Sequence, residues 1–289
     1  MGKSTAQTTQ DKSIHGPTDN VKLAALILPI LVRQAKAHKT ITYGALAKEI
    51  NSTFEGLHAD PHFDIPRSLG IIGNTLKQME NPPPPINVCV VNQKSQKPSN
   101  GVDPFVPLWL PNYKPENRSD AIEYLQNKCF YYPRWDEVLH ELGLKSAVQS
   151  IPDVSSHRYY GGGGESDEHR CFKESVSEQP EKLNLPRNMK LTVEYPLESG
   201  DRLDVVLENK KMIVGVEVKS HRSDDFDILR GLFQVVKYQA VLTAMERLSE
   251  TPRKVKVFLV LENALPVDLV WVQNTLGVEV IDSFGGPQK

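Results

Sequence analysis

Only three cysteines occur in 289 residues, Cys89, Cys129 and Cys171. They are too few and too scattered for a disulfide framework or a CxxC zinc site, so zinc is not expected and a reducing, cytoplasmic setting is. The chain also lacks an excess of charge of either sign. A formal net charge of -2 gives no global pull toward nucleic acid, so any phosphate-binding surface has to be local. Long hydrophobic runs are missing too: the apolar stretch Leu23 to Val32 is short, contains Pro29 and follows a long polar segment, which suits neither a spanning helix nor a signal peptide. It reads as a buried helix, and no membrane partner is expected. No internal repeat is visible. What remains, 39% hydrophobic and 24% charged residues, is the composition of a soluble globular protein long enough for two domains.

Two breaks organise the chain. Residues 1–20 are polar, with too few apolar groups to offset the entropy of ordering, and are expected to be a disordered tail. Residues 146–166 contain Ser155-Ser156, the four glycines Gly161 to Gly164 and no apolar periodicity, which marks an interdomain linker. Between them, residues 21–145 read as mainly helical: Val21 to His38, Thr42 to Ile50, and Pro66 to Met79 with proline in the first turn. Pro82 to Pro85 then interrupt, and the β-branched run Ile86 to Val91 reads as a strand. Helix, helix, helix, strand is the order of a winged helix-turn-helix; helices near Ser119 to Lys128 and Trp135 to Leu142 would close it.

Residues 167–289 change pattern to helix (Asp167 to Ser177), three strands (Lys190 to Tyr195, Arg202 to Leu207, Met212 to Lys219), a long helix (Asp225 to Leu248) and a strand (Val255 to Leu261). A helix and a short strand, Val278 to Ile281, follow. Strands joined through a crossover helix to another strand indicate an α/β layer fold around a mixed sheet.

The chemistry concentrates in the third strand of this region. Val214, Val216 and Val218 alternate with Gly215, Glu217 and Lys219, so the valines share one face and the two charges the other. Asp204 lies in the preceding strand, where hairpin pairing would bring its carboxylate beside Glu217. Two converging carboxylates suit a hard cation such as Mg2+, and an adjacent lysine is what phosphodiester hydrolysis needs to orient a water or stabilise developing charge. Glu-x-Lys is also a common surface pair worth under about 1 kcal/mol. The Asp in the strand before and the long helix after favour a site. That helix places Gln234 and Tyr238 at i and i+4 on one face, for helix packing or for hydrogen bonds that hold Lys219 or a metal ligand.

The segments SGDRLDVV (Ser199 to Val206), GVEVKS (Gly215 to Ser220) and DILRGLFQVVKYQAV (Asp227 to Val241) resemble, in this order, the PD-(D/E)XK nuclease superfamily, and more narrowly its branch with a Q-x-x-x-Y signature on the helix after the E-x-K strand. The resemblance spans about residues 167–282. It implies a restriction-endonuclease-like mixed sheet flanked by helices, Asp204 and Glu217 as ligands of Mg2+ (or Mn2+), Lys219 as the catalytic lysine, and Gln234 and Tyr238 as the helix signature. Such families often add a Glu on the helix before the first strand; Glu168 fits this better than Glu174, though both also read as solvated helix charges. Arg230 meets either a phosphate or the acidic cluster Asp224, Asp225 and Asp227. His221 reads as a loop histidine.

In the first domain, ITYGALA (Ile41 to Ala47), RSLG (Arg67 to Gly70), Asn81-Pro82 and Pro85-Ile86 are similar to the DNA-binding winged helix of alkylguanine alkyltransferases and their alkyltransferase-like relatives, over about residues 40–102. The nucleophile box of that family is broken: Cys89 stands one position early, with neither His nor Arg after it. Alkyl transfer is not expected, and Cys89 reads as a buried strand cysteine. The comparison implies that the helix from Pro66 to Met79 faces a DNA groove with Arg67, Asn74 and Lys77, which also read as ordinary surface polar groups, while Lys94 and Lys97 lie on a wing or in a solvated loop. The whole reading is a Mg2+-dependent endonuclease for foreign or damaged DNA. A catalytically silent DNA-binding or regulatory protein and an RNA-cleaving nuclease are the alternatives. A homodimer would suit double-strand cleavage, and no nucleotide cofactor is expected.

Overall fold

The structure, a computed structural model, describes residues 14, 19–54, 56–147, 167–186 and 188–285. The chain divides into two compact units, Met1–Gln149 and Ser150–Lys289, a division that falls within the expected linker. Most of that linker, and residues 1–13 and 15–18 of the expected tail, lie outside the described residues. Ile14 is described and departs from the expected tail: it is 1% exposed and belongs to the core of the first unit. A single apolar residue in a polar stretch has no periodicity to announce it.

The first unit is built on α1 (Asp19–Lys36), apolar nearly all round from Leu23 to Ala35 and correspondingly buried. Two short strands, β1 (Ile41–Thr42) and β2 (Val90–Val91), pair in parallel. The Thr42 hydroxyl caps α2 (Tyr43–Thr53) by accepting from the Ala45 amide at 3.1 Å. Arg33 of α1 donates to both carboxylate oxygens of Glu49 at 2.7 and 2.8 Å, a buried two-pronged ion pair that ties α1 to α2. The next helix, α3 (Asp64–Lys77), begins two residues before the expected Pro66. The Asp60 carboxylate accepts from the His62 and Phe63 amides there, and Pro66, third in the helix, has no amide to leave unpaired.

The expected strand at Ile86 to Val91 is a 3-10 turn over Ile86–Cys89 followed only by β2. All four turn residues are buried, so an apolar run without alternation fits either conformation, and Gln126 donates to the Val88 carbonyl at 2.9 Å in place of a ladder partner. Cys89 is buried as expected, but on this turn. A second 3-10 segment, Asn100–Leu108, drops Phe105 onto Gly73 of α3, where an added Cβ would lie 2.6 Å from the ring. Helices α4 (Arg118–Phe130) and α5 (Trp135–Glu141) complete the unit, and the Trp135 indole donates to the Cys129 carbonyl at 2.8 Å.

The second unit contains α6 (Asp167–Glu178), β3 (Lys190–Pro196), β4 (Arg202–Glu208), β5 (Met212–Lys219), α7 (Asp225–Arg247), β6 (Lys254–Leu261), α8 (Val270–Leu276) and β7 (Glu279–Ile281). The five strands form one sheet in sequence order, antiparallel from β3 to β5 and parallel from β5 to β7. It is the expected mixed sheet of an α/β domain. Phe172 and Val176 of α6 pack with Val214, Val216 and Val218 on one face; Leu229, Leu232 and Leu242 of α7 and Trp271 of α8 cover the other. Gly215 interrupts the β5 apolar residues because its face is already filled: a Cβ there would meet Leu203 Cδ1 at 2.8 Å and Leu242 Cδ1 at 3.3 Å.

Candidate active site

The β4–β5 ladder runs from Glu208 opposite Ile213 to Val205 opposite Val216, which puts Asp204 next in line opposite Glu217. There the ladder gives way to a side-chain bond, and Asp204 Oδ2 accepts from the Val218 amide at 2.8 Å. Two residues beyond Glu217 on the same face, Lys219 places Nζ 3.1 Å from Glu217 Oε1 and 3.6 Å from Asp227 Oδ1. Glu217 is 4% and Lys219 8% exposed. The alternative of an ordinary surface charge pair does not describe this pair.

The lysine reaches its position through a gap in α7. Gly231 faces it, and a Cβ at that residue would lie 3.0 Å from Lys219 Cε, 3.4 Å from its Cγ and 3.0 Å from Leu259 Cδ1. Asp224 caps α7 by accepting from the Asp227 amide at 2.8 Å, which fixes the first turn and with it the Asp227 carboxylate.

Electrostatics follow from this burial. The Glu217 carboxyl is pushed up to about 7, first by removal from water and then by the Asp204 charge, with Lys219 and His169 pulling the other way. Burial disfavours the Lys219 ammonium, but Glu217 and Asp227 together more than offset it and its pKa is raised. The Tyr238 hydroxyl is pushed up to about 12 by burial and by the Glu217 charge, so it stays protonated. Gln234 donates to it at 3.2 Å, while Gln234 Oε1 is buried without a hydrogen-bond partner.

Asp204, Glu217 and Lys219 are therefore brought together, and Gln234 joins the same site by lining, with Lys219, Asp227 and Arg230, a cavity of about 500 Å³. Arg230 lies 3.5 Å from Asp227 Oδ1, a member of the acidic cluster, and borders this cavity. Glu168 is placed apart. It accepts from Arg222 at 2.7 Å and lines a separate cavity of about 400 Å³ with Cys171, His221 and Glu262; Glu174 is exposed. His221 bonds Glu262 through its ring and its amide.

Two residues were missed by sequence reasoning. His169, not Glu168, approaches the centre, with Nε2 3.5 Å from Asp204 Oδ1. Helical phase carried that signal, since Phe172 and Val176, three and seven residues on, are the buried apolar positions of α6. Asp227 falls on the stripe of Gln234 and Tyr238, seven and eleven residues before them. In the first unit, Arg67 and Lys77 are exposed on α3 and Asn74 is half-buried; Lys94 and Lys97 are exposed in the turn after β2.

As donors for a cation the centre offers two carboxylates. Among the described residues no group of three or more His, Cys, Asp and Glu is arranged to hold a metal. Two oxygen donors, one of them holding its proton unusually tightly because burial and the Asp204 charge outweigh Lys219, fit an ion that keeps most of its own water, as Mg2+ does. Among the described helices none is long and apolar enough to cross a membrane. The second unit is thus an α/β domain with a two-carboxylate, one-lysine centre at the C-terminal end of β5, in which Glu217 and Lys219 are buried and Asp204 is half-buried. Neither family models, curated proteins nor solved structures give a match to the chain.

Proposed function

We propose that the second unit is a Mg2+-dependent (or Mn2+-dependent) nuclease that hydrolyses DNA phosphodiester bonds, with the winged-helix-like first unit as its recognition module. The observation that carries this reading is the burial of Glu217 and Lys219 beside Asp204. A carboxylate raised to about 7, first by burial and then by a second carboxylate, even with the Lys219 ammonium 3.1 Å away, is a poor structural element, and a further cation between the two acids would lower that cost.

Asp204 and Glu217 would hold the ion, which supplies a polarised phosphate oxygen and an acidified water. Lys219 presents its ammonium beside Glu217, where it orients an attacking water or steadies charge developing on the phosphate. Asp227 and Gly231 keep that ammonium in place. Gln234 and the protonated Tyr238 line the α7 side of the centre, and Arg230 borders the cavity as the cation for a neighbouring phosphate. Arg67, Asn74 and Lys77 on α3 are the groups proposed to meet the DNA groove.

The test is cleavage of plasmid, single-stranded DNA and RNA with Mg2+ or with EDTA, comparing the wild type with Lys219→Ala. Metal-dependent cleavage that Lys219→Ala lowers by about 1000-fold or more is expected. Cleavage untouched by the substitution would refute the site, cleavage of RNA alone would move the substrate class, and no cleavage of any substrate would favour a silent DNA-binding protein.

A further inference from the structure

Beside the candidate centre lies an ion pair, buried at its lysine end, that the proposed chemistry does not use. Lys173 of α6 is 3% exposed, and its ammonium is paired with the carboxylate of Glu194 on β3. Glu194 has φ 54°, in the left-handed region, although it sits within a strand and is not glycine. Such a backbone persists only where its surroundings hold it. Its position is informative: the β3–β4 ladder pairs Val193 with Val205 and Tyr195 with Leu203, and the one rung missing between them is Glu194 with Asp204.

Asp204 is therefore flanked by Glu194 on one strand and Glu217 on the other. In ordinary strand geometry cross-strand neighbours project side by side, which would set a third carboxylate against two that already repel. The left-handed turn at Glu194 and the Lys173 ammonium take it out of that row. Lys173 lies four residues after His169, on the same face of α6, and His169 Nε2 approaches Asp204 Oδ1. One helix face thus touches two adjacent positions of the sheet, Glu194 through Lys173 and Asp204 through His169.

We propose that Lys173 and Glu194 are positioning residues: the pair latches α6 to β3, seats His169 on Asp204, and so sets the orientation in which Asp204 receives a divalent cation. The role in cation binding rests on the reading of Asp204 and Glu217 as metal ligands. Asp204 is held at two points, Oδ2 by the Val218 amide and Oδ1 by His169, and the latch controls the second. Groups that orient a metal ligand without touching the metal typically change affinity by about 10- to 100-fold when removed.

The experiment uses the full-length chain and two readouts. In metal-free protein, NMR resonances of the His169 ring report its contact with Asp204 whether or not any metal or nucleic acid binds. Mn2+ titration followed by electron paramagnetic resonance reports affinity at the centre. Lys173→Met and Glu194→Gln should shift the His169 resonances toward those of Asp204→Asn and weaken Mn2+ binding by on the order of tenfold, and Lys173→Arg should restore both. Glu194→Gly relieves the left-handed backbone while deleting the carboxylate, so it should behave like Glu194→Gln. Glu194 is partly exposed, so its variants should fold even if Lys173→Met does not. Unmoved His169 resonances in Glu194→Gln, or a Glu194→Gly protein that matches the wild type, would overturn the latch. A wild type that binds no Mn2+ would sink the metal-site reading, and the His169 readout would still decide whether the latch exists.

Discussion

Replacing Glu217 by glutamine should stabilise the metal-free second unit at alkaline pH, an unusual outcome for a change at a proposed catalytic residue. The carboxyl stands at about 7 in the folded chain against an ordinary value of 4.5. Its folded pKa is the higher one, so the folded state binds the proton more tightly than the unfolded state. Below about 4.5 both states are protonated and Glu217 has no effect; as pH rises to about 7 the fold is progressively penalised, and above that the penalty is complete. A shift of about 2.5 units at about 1.4 kcal/mol each gives an upper value of about 3–4 kcal/mol. Glutamine mimics the protonated form and escapes the penalty. Hydrogen exchange of β4 and β5 amides in EDTA, corrected for intrinsic rates from pH 4.5 to 8.5, would show the two proteins converging at the acid end and separating by up to about 3–4 kcal/mol at the other. Mg2+ at about 100 times its dissociation constant should then return about 2.7 kcal/mol to the wild type and nothing to Glu217→Gln. Parallel stability curves for the two proteins would refute the claim that burial and the Asp204 charge outweigh Lys219 at Glu217.

Three further outcomes are expected. Gly231→Ala places a methyl group against Lys219 Cε and Leu259, and should cut metal-dependent cleavage by on the order of tenfold to a hundredfold while circular dichroism remains unchanged. Arg230→Ala should raise KM for the nucleic acid with little change in kcat, and reduce the slope of log affinity against log salt by about 1; an unchanged salt slope would show that Arg230 meets no phosphate. In the first unit, Gly73→Ala should cost about 1–3 kcal/mol in urea denaturation through its clash with the Phe105 ring, and Phe105→Leu in the same chain should recover part of it.

Much of the second unit was legible because its strands obey one period. The valine alternation in β5 assigns the two faces, and hairpin pairing with β4 brings Asp204 opposite Glu217. Burial of the charges was not legible, since it depends on Gly231, a residue twelve positions beyond Lys219 whose missing side chain matters only once α7 lies on the sheet. Glu168 and His169 are adjacent in the sequence, and only the phase set by Phe172 and Val176 separates the one facing Arg222 from the one facing Asp204. In the first unit, Ile86 to Cys89 are buried on all sides, so their sequence has no face to reveal and a 3-10 turn passes for a strand.

The bare backbone of Gly231 leaves room for the stem of Lys219 and for little else, since even one added methyl group would press on Lys219 and on Leu259. A planar guanidinium is broader than the methylenes that pass here, so arginine would keep the charge and crowd the helix, and the fit of the side chain matters at position 219 as well as the charge at its end.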